Sequence, residues 1–309
     1  MYPLILVPLD GSPFAEGALP IAMMVAEHHE APLHLVAVHT VLARPLRLPD
    51  APIYDGQLDD DRRAQLDSYL TRTAARLTTE LGREVTHATV SDDVSTAAAI
   101  VEEAERRGAG LVVISTHGRG GFSRAWLGSV TSELLRTMPV PTLVVRNPAP
   151  DAAGTVAPSL ARVLLPLDGS ELAAAALEPA LALVAPFQAT VTVLRVVRTA
   201  ESQLPYDQTF WTAAEQQVME ALRVDAQRDV DRVVAGLRAR GLTVEGLVVL
   251  ESDAARTILS VAAERDVGLI AMSTSGRGGL ARLLVGSVTD KVVRGADHPV
   301  LVVRPIQQQ

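Results

Sequence analysis

LVVISTHGRGGFSRAWLGSVTSELLRT, Leu111 to Thr137, decides the architecture of this chain. LVVI is an apolar run without polar alternation, the pattern of a strand buried on both faces of a parallel sheet. A glycine-rich loop follows over 116–127, and Gly128-Ser129 opens a helical segment that runs to Thr137. The passage is written twice. STHGRGGFSRAWLGSVT at Ser115 to Thr131 returns as STSGRGGLARLLVGSVT at Ser273 to Thr289, 158 residues later.

The same offset relates ILVPLDGS (Ile5 to Ser12) to VLLPLDGS (Val163 to Ser170), and PTLVVR (Pro141 to Arg146) to PVLVVR (Pro299 to Arg304). An internal repeat of this length means two copies of one domain. The boundaries read from it are 1–148 and 160–309, joined by a linker at 149–159 inside the Pro-, Ala- and Gly-rich stretch Asn147 to Ser159. Within the first copy, LILV, LHLVAV, LVVI and TLVV alternate with helical patterns at Phe14 to Glu30, Asp59 to Leu81, Thr96 to Arg107 and Ser129 to Thr137. Glu84 to Val90 is a weaker strand. Right-handed β-α units then predict two tandem, doubly wound, open parallel sheets of about five strands each, Rossmann-like, in the order 3-2-1-4-5. In such sheets ligands sit beyond the carboxyl ends of the strands at the switch point, between strands 1 and 4. The two copies agree best at those places.

Composition narrows the partners. The 309 residues carry a net charge of −8, only 3% aromatics and no cysteine. An acidic, aromatic-poor surface serves neither phosphate-backbone neutralisation nor base stacking, so nucleic acid is not expected. No disulfide, thiolate metal site or thiol nucleophile is available. MYPLILVPLDGS has neither a basic n-region nor an apolar run of spanning length, so no membrane partner is expected.

The repeated loop fits an anion, and phosphate above all. Gly118, Gly120 and Gly121 let backbone N–H groups come close, Arg119 and Arg124 supply charge, and a helix N-terminus follows. A plain β-to-α connection with solvated arginines would use the same residues. The recurrence of Arg119, Arg124 and Gly128-Ser129 as Arg277, Arg282 and Gly286-Ser287 is what folding alone does not require. His117 stands in the first loop where Ser275 stands in the second. Neither a Walker lysine motif nor a GxGxxG after strand 1 is present. Instead Asp10 and Asp168 close strand 1, able to accept hydrogen bonds from a ribose or an adenine amino group, or to cap the first helix.

A proline and aspartate closing strand 1, followed after strand 4 by a glycine loop, nine residues and G-[ST], resembles the universal stress protein family in its tandem form. The resemblance covers both halves. It implies adenosine at the ends of strands 1 and 2 and phosphates at the loop and G-[ST]. The first site would use Pro8, Asp10, Val38, Ser115, Gly118, Arg119, Gly128, Ser129 and Val130. The second would use Pro166, Asp168, Val196, Ser273, Gly276, Arg277, Gly286, Ser287 and Val288. One departure is shared: Ser115 and Ser273 replace the first glycine of the family pattern. The resemblance implies a cytoplasmic stress-response regulator holding ATP, or AMP or ADP, with or without magnesium. No catalytic residues are assigned; a slow ATPase, a nucleotidyl-transfer enzyme and a non-binding interaction module are the rivals. Strand 5 of each copy would support an intrachain pseudo-dimer, with a homodimer of chains as the open further step.

The histidine spacing predicts no metal site: His28 and His29 are adjacent on a helix, and His34 and His39 fall on opposite faces of a strand. The run DDDRR at Asp59 to Arg63 reads as a charged helix start, and Trp126 as a packing residue.

Overall fold

The computed structural model describes residues 2–40, 56–92, 95–116, 127–146, 159–198, 213–274 and 285–305. The chain divides into two compact units, Met1–Pro150 and Asp151–Gln309. In the first unit the order is β1 (Ile5–Pro8), α1 (Pro13–Glu16), α2 (Leu19–His28), β2 (Leu33–His39), α3 (Gly56–Leu81), β3 (Val85–Ser91), α4 (Thr96–Arg107), β4 (Leu111–Ser115), α5 (Ser129–Thr137) and β5 (Thr142–Val145). The second repeats it as β6 (Arg162–Pro166), α6 (Glu171–Ala174), α7 (Leu177–Val184), β7 (Thr190–Arg198), α8 (Ala213–Ala239), β8 (Thr243–Glu251), α9 (Ala254–Glu264), β9 (Leu269–Ser273), α10 (Ser287–Gly295) and β10 (Val300–Val303). Within each unit all strand pairs are parallel, in the order β3-β2-β1-β4-β5 and its counterpart β8-β7-β6-β9-β10. This is the doubly wound 3-2-1-4-5 sheet that the apolar runs predict.

Central strands β1, β4 and β9 are buried along their whole length, as strands covered by helices on both faces must be. The helix expected over Phe14 to Glu30 is divided into α1 and α2. The break is a tight turn in which the Gly17 and Ala18 N–H groups donate to the Phe14 and Ala15 carbonyls, and the second unit breaks in the same way at Ala175 and Ala176.

The opposite faces of β2 carry two buried histidines with separate tasks. His34 is fully buried, with Nδ1 2.8 Å from Thr86 Oγ1 on β3 and Nε2 3.0 Å from Glu103 Oε1 on α4. Arg107 Nε donates to the same carboxylate oxygen at 3.0 Å, and Arg106 Nε donates to its neighbour at 2.8 Å. Burial, followed by the Arg107 charge, holds the His34 imidazole below its usual 6.5. The unfolded chain therefore binds a proton that the folded chain refuses in the window below pH 6.5. This stability is complete above 6.5 and is lost as pH falls toward the depressed value. Denaturant midpoints should accordingly drop more steeply for the parent than for His34→Gln between about pH 7.5 and about pH 5.5. Parallel curves would show that His34 contributes nothing to the acid limb.

His39 meets α3 on the other face. Its Nε2 is 3.1 Å from Asp59 Oδ1, with both residues largely shielded from solvent. The first acid of the DDDRR run thus lies against the end of β2, but the two atoms do not meet in hydrogen-bonding geometry and are buried without a hydrogen-bond partner among the described residues.

Candidate functional site

The ladder between β1 and β4 consists of Ile5–Leu111 and Leu6–Val112, and that between β6 and β9 of Val163–Leu269 and Leu164–Ile270. Beyond those pairs the two central strands of each unit run on unpaired to each other, which opens a crevice at their carboxyl ends. Pro8 and Ser115 end the strands that flank the first crevice, and Pro166 and Ser273 those that flank the second.

Past Pro8 the chain stays tied to β2 for one more residue, because the Leu9 N–H donates to the Val36 carbonyl at 2.8 Å. It then turns. The Ser12 N–H donates to Asp10 Oδ1 at 2.9 Å across Gly11, whose φ of 79° is the left-handed conformation glycine tolerates best. Ser12 Oγ accepts the Ala15 N–H and is the N-cap of α1. The second unit repeats every step: Leu167 to Leu194, Ser170 N–H to Asp168 Oδ1 at 2.9 Å, Gly169 at φ 79°, and Ser170 capping α6. The helix cap is therefore the serine. The aspartate shapes the turn and stands half-buried at the rim of the crevice.

Val38 and Val196 are the half-exposed positions near the carboxyl ends of β2 and β7, each between buried neighbours.

The helix end is built by a lock at the base of the loop. Thr116 N–H donates to the Val145 carbonyl and its own carbonyl accepts the Gly128 N–H at 3.0 Å; Thr274 does the same with Val303 and Gly286, the latter at 2.7 Å. A Cβ on Gly128 would stand 3.2 Å from the Thr116 oxygen, and one on Gly286 would stand 3.0 Å from the Thr274 oxygen. Glycine thus suits a close backbone approach here, which a larger residue could keep only with a small shift of the loop base. Thr131 Oγ1 donates to the Ser115 carbonyl at 3.2 Å and Thr289 Oγ1 to the Ser273 carbonyl at 2.8 Å, both buried. These threonines fix the helix to the end of strand 4. Their sequence signal is GSVT, repeated in both halves, of which only GSV enters the motif-based site.

Gly128 and Gly286 are the N-caps of α5 and α10, and neither helix has a side-chain cap. Ser129 and Ser287 are consequently the first helical residues, with exposed side chains, rather than caps. The first intrahelical bonds are Ser132 N–H to Gly128 and Asp290 N–H to Gly286. The N–H groups of Ser129, Val130 and Thr131, and of Ser287, Val288 and Thr289, find no acceptor among the described residues. A helix N-terminus without a side-chain cap turns its first N–H groups and the positive end of its dipole outward, a chemistry that suits an anion. Gly118, Arg119, Gly276 and Arg277 lie outside the described residues, as do His117, Gly120, Gly121, Arg124, Ser275, Arg282 and Trp126.

No group of three metal-ligating side chains occurs among the described residues. No described helix is long and apolar enough to cross a membrane.

The model of the universal stress protein family matches residues 1–146 and again 160–304. A universal stress protein of Mycobacterium tuberculosis is 30% identical over 216 residues, 69% of this chain and 66% of that relative, so the match spans just under two thirds of its length. Another from the same organism is 28% identical over 304 residues, covering 97% of this chain and 96% of the relative. Among solved structures, a universal stress protein from Archaeoglobus fulgidus shares the fold, with a TM-score of 0.70 at 20% identity, covering 97% of this chain and 98% of that one.

Proposed function

The chain belongs to the universal stress protein family, and on that premise we propose that each unit binds one adenine nucleotide at the carboxyl edge of its sheet, as a regulator and not an enzyme. One observation supports this reading. Both helices that follow strand 4 begin at a glycine without a side-chain cap, and their first N–H groups have no acceptor among the described residues. A glycine cap costs each helix only roughly a few tenths of a kcal/mol relative to serine or aspartate, and it leaves the space above the first N–H groups open to a ligand.

In the first unit, the phosphates of ATP, or of ADP or AMP, rest on the N–H groups of Ser129 and Val130, with Ser115, Gly118 and Arg119 completing the loop. Pro8, Asp10 and Val38 border the nucleoside. In the second, Ser287, Val288, Gly286, Ser273, Gly276 and Arg277 take the phosphates, and Pro166, Asp168 and Val196 the nucleoside. Magnesium, where it accompanies the nucleotide, would be held chiefly by the phosphates and water. Titration calorimetry of the full chain with ATP should give two sites per chain. A single site contradicts the equivalence of the two units, and no binding contradicts the reading itself.

A further inference from the structure

The outer face of the first unit carries a groove of about 430 Å³ between α2 and α3, separate from the crevice. Its apolar part is the exposed Pro20 with the half-buried thioethers of Met23 and Met24, above the buried Leu19. Its charged part is Glu16, Glu27 and Glu80 against a single guanidinium, Arg76. That cation is shared between two of the acids, 3.3 Å from Glu16 and 3.5 Å from Glu80, so the lining keeps a net negative charge.

The second unit does not repeat this surface. The residues at the places of Met23 and Met24 are Leu181, which is buried, and Ala182. The glutamate three residues beyond the buried Leu77 of α3 is replaced by Arg240, three beyond the buried Leu237 of α8. Arg240 grips Glu178 of α7 through both Nη atoms, at 2.6 and 3.0 Å, and joins the two helices where the first unit leaves a groove. The two units thus share the crevice and differ here.

We propose that this groove docks a cationic amphipathic helix of a partner protein. Thioether side chains adapt to varied apolar anchors, and a helix laid in a groove presents such anchors at every third or fourth position. Lysines or arginines flanking the anchors meet Glu27 and Glu80, which gives the site its sign; an anionic partner or an anionic membrane is repelled by the same rim. The docking goes beyond nucleotide binding and does not depend on it, so it is tested without nucleotide.

The probe is a fluorescein-labelled amphipathic helix of leucine, alanine and lysine, with a control in which glutamate replaces lysine. Fluorescence anisotropy with the full chain should show saturable binding of the cationic peptide alone. Glu27→Lys/Glu80→Lys should weaken it by about tenfold or more, as should Met24→Asp, with unchanged circular dichroism. Glu178→Lys/Glu220→Lys makes the same change of net charge in the second unit and should leave binding intact. The proposal is overturned by absence of binding, by equal binding of the anionic peptide, or by equal loss in the charge-matched variant.

Discussion

Gly128→Glu leaves the chain with one ATP site instead of two, Gly286→Glu does the same for the other unit, and the double variant binds none. The loss follows from the geometry of the uncapped helix ends. A glutamate at the N-cap places a carboxylate where the phosphate would sit, and that carboxylate satisfies the donors the phosphate needs. Like charges in one seat cost several kcal/mol, so affinity at the altered site should fall by about a hundredfold or more. Since α5 and α10 form without a side-chain cap and a negative charge at this end favours the helix dipole, the variant should fold. Alanine separates this charge effect from a steric one. Its Cβ meets the Thr116 or Thr274 carbonyl at 3.2 or 3.0 Å, a tight contact that the loop base relieves by a small shift. Gly128→Ala should therefore weaken binding far less than Gly128→Glu. Equal losses in the two variants would assign the glycine to the closure of the loop base alone, and two sites remaining in folded Gly128→Glu would remove the phosphate from this helix.

The strand order and the position of the crevice were legible because they rest on patterns longer than any one contact. Apolar runs without alternation mark buried parallel strands, and the 158-residue offset transfers the assignments of strand 1, the glycine loop and strand 5 from one half to the other. What was illegible depends on single backbone groups. Asp10 and Ser12 both have the chemistry of a cap, and only the course of the chain over Gly11 gives the cap to Ser12 and the turn to Asp10. Gly128 reads as a ligand-contact glycine, yet its nearest neighbour is the Thr116 carbonyl from its own loop base. Thr131 is visible as the fourth letter of a repeated GSVT, but its bond to the Ser115 carbonyl is a tertiary fact. The pairs His34–Glu103 and His39–Asp59 join residues 69 and 20 positions apart, and only the first unit has them, so the internal repeat gave no hint of either.

Any ATP hydrolysis by this chain should run far below the enzyme median of about 10 per second. Rate requires groups that act more strongly on the transition state than on the bound nucleotide. The described part of each site offers backbone N–H groups, which hold phosphate charge in the ground state as well, and one exposed serine hydroxyl, Ser129 or Ser287. Phosphoryl transfer also draws on a residue that orients the attacking oxygen. The carboxylates nearby have other work: Asp10 and Asp168 fold their turns, and Asp290, in the first turn of α10, accepts from Arg294 Nε at 2.9 Å. On the proposed reading, occupancy by nucleotide and not its turnover is the signal. Single-turnover measurement on the purified chain with labelled ATP decides the matter. Hydrolysis at ordinary enzyme rates, abolished in Ser129→Ala/Ser287→Ala, would convert the two seats from sensors into active sites.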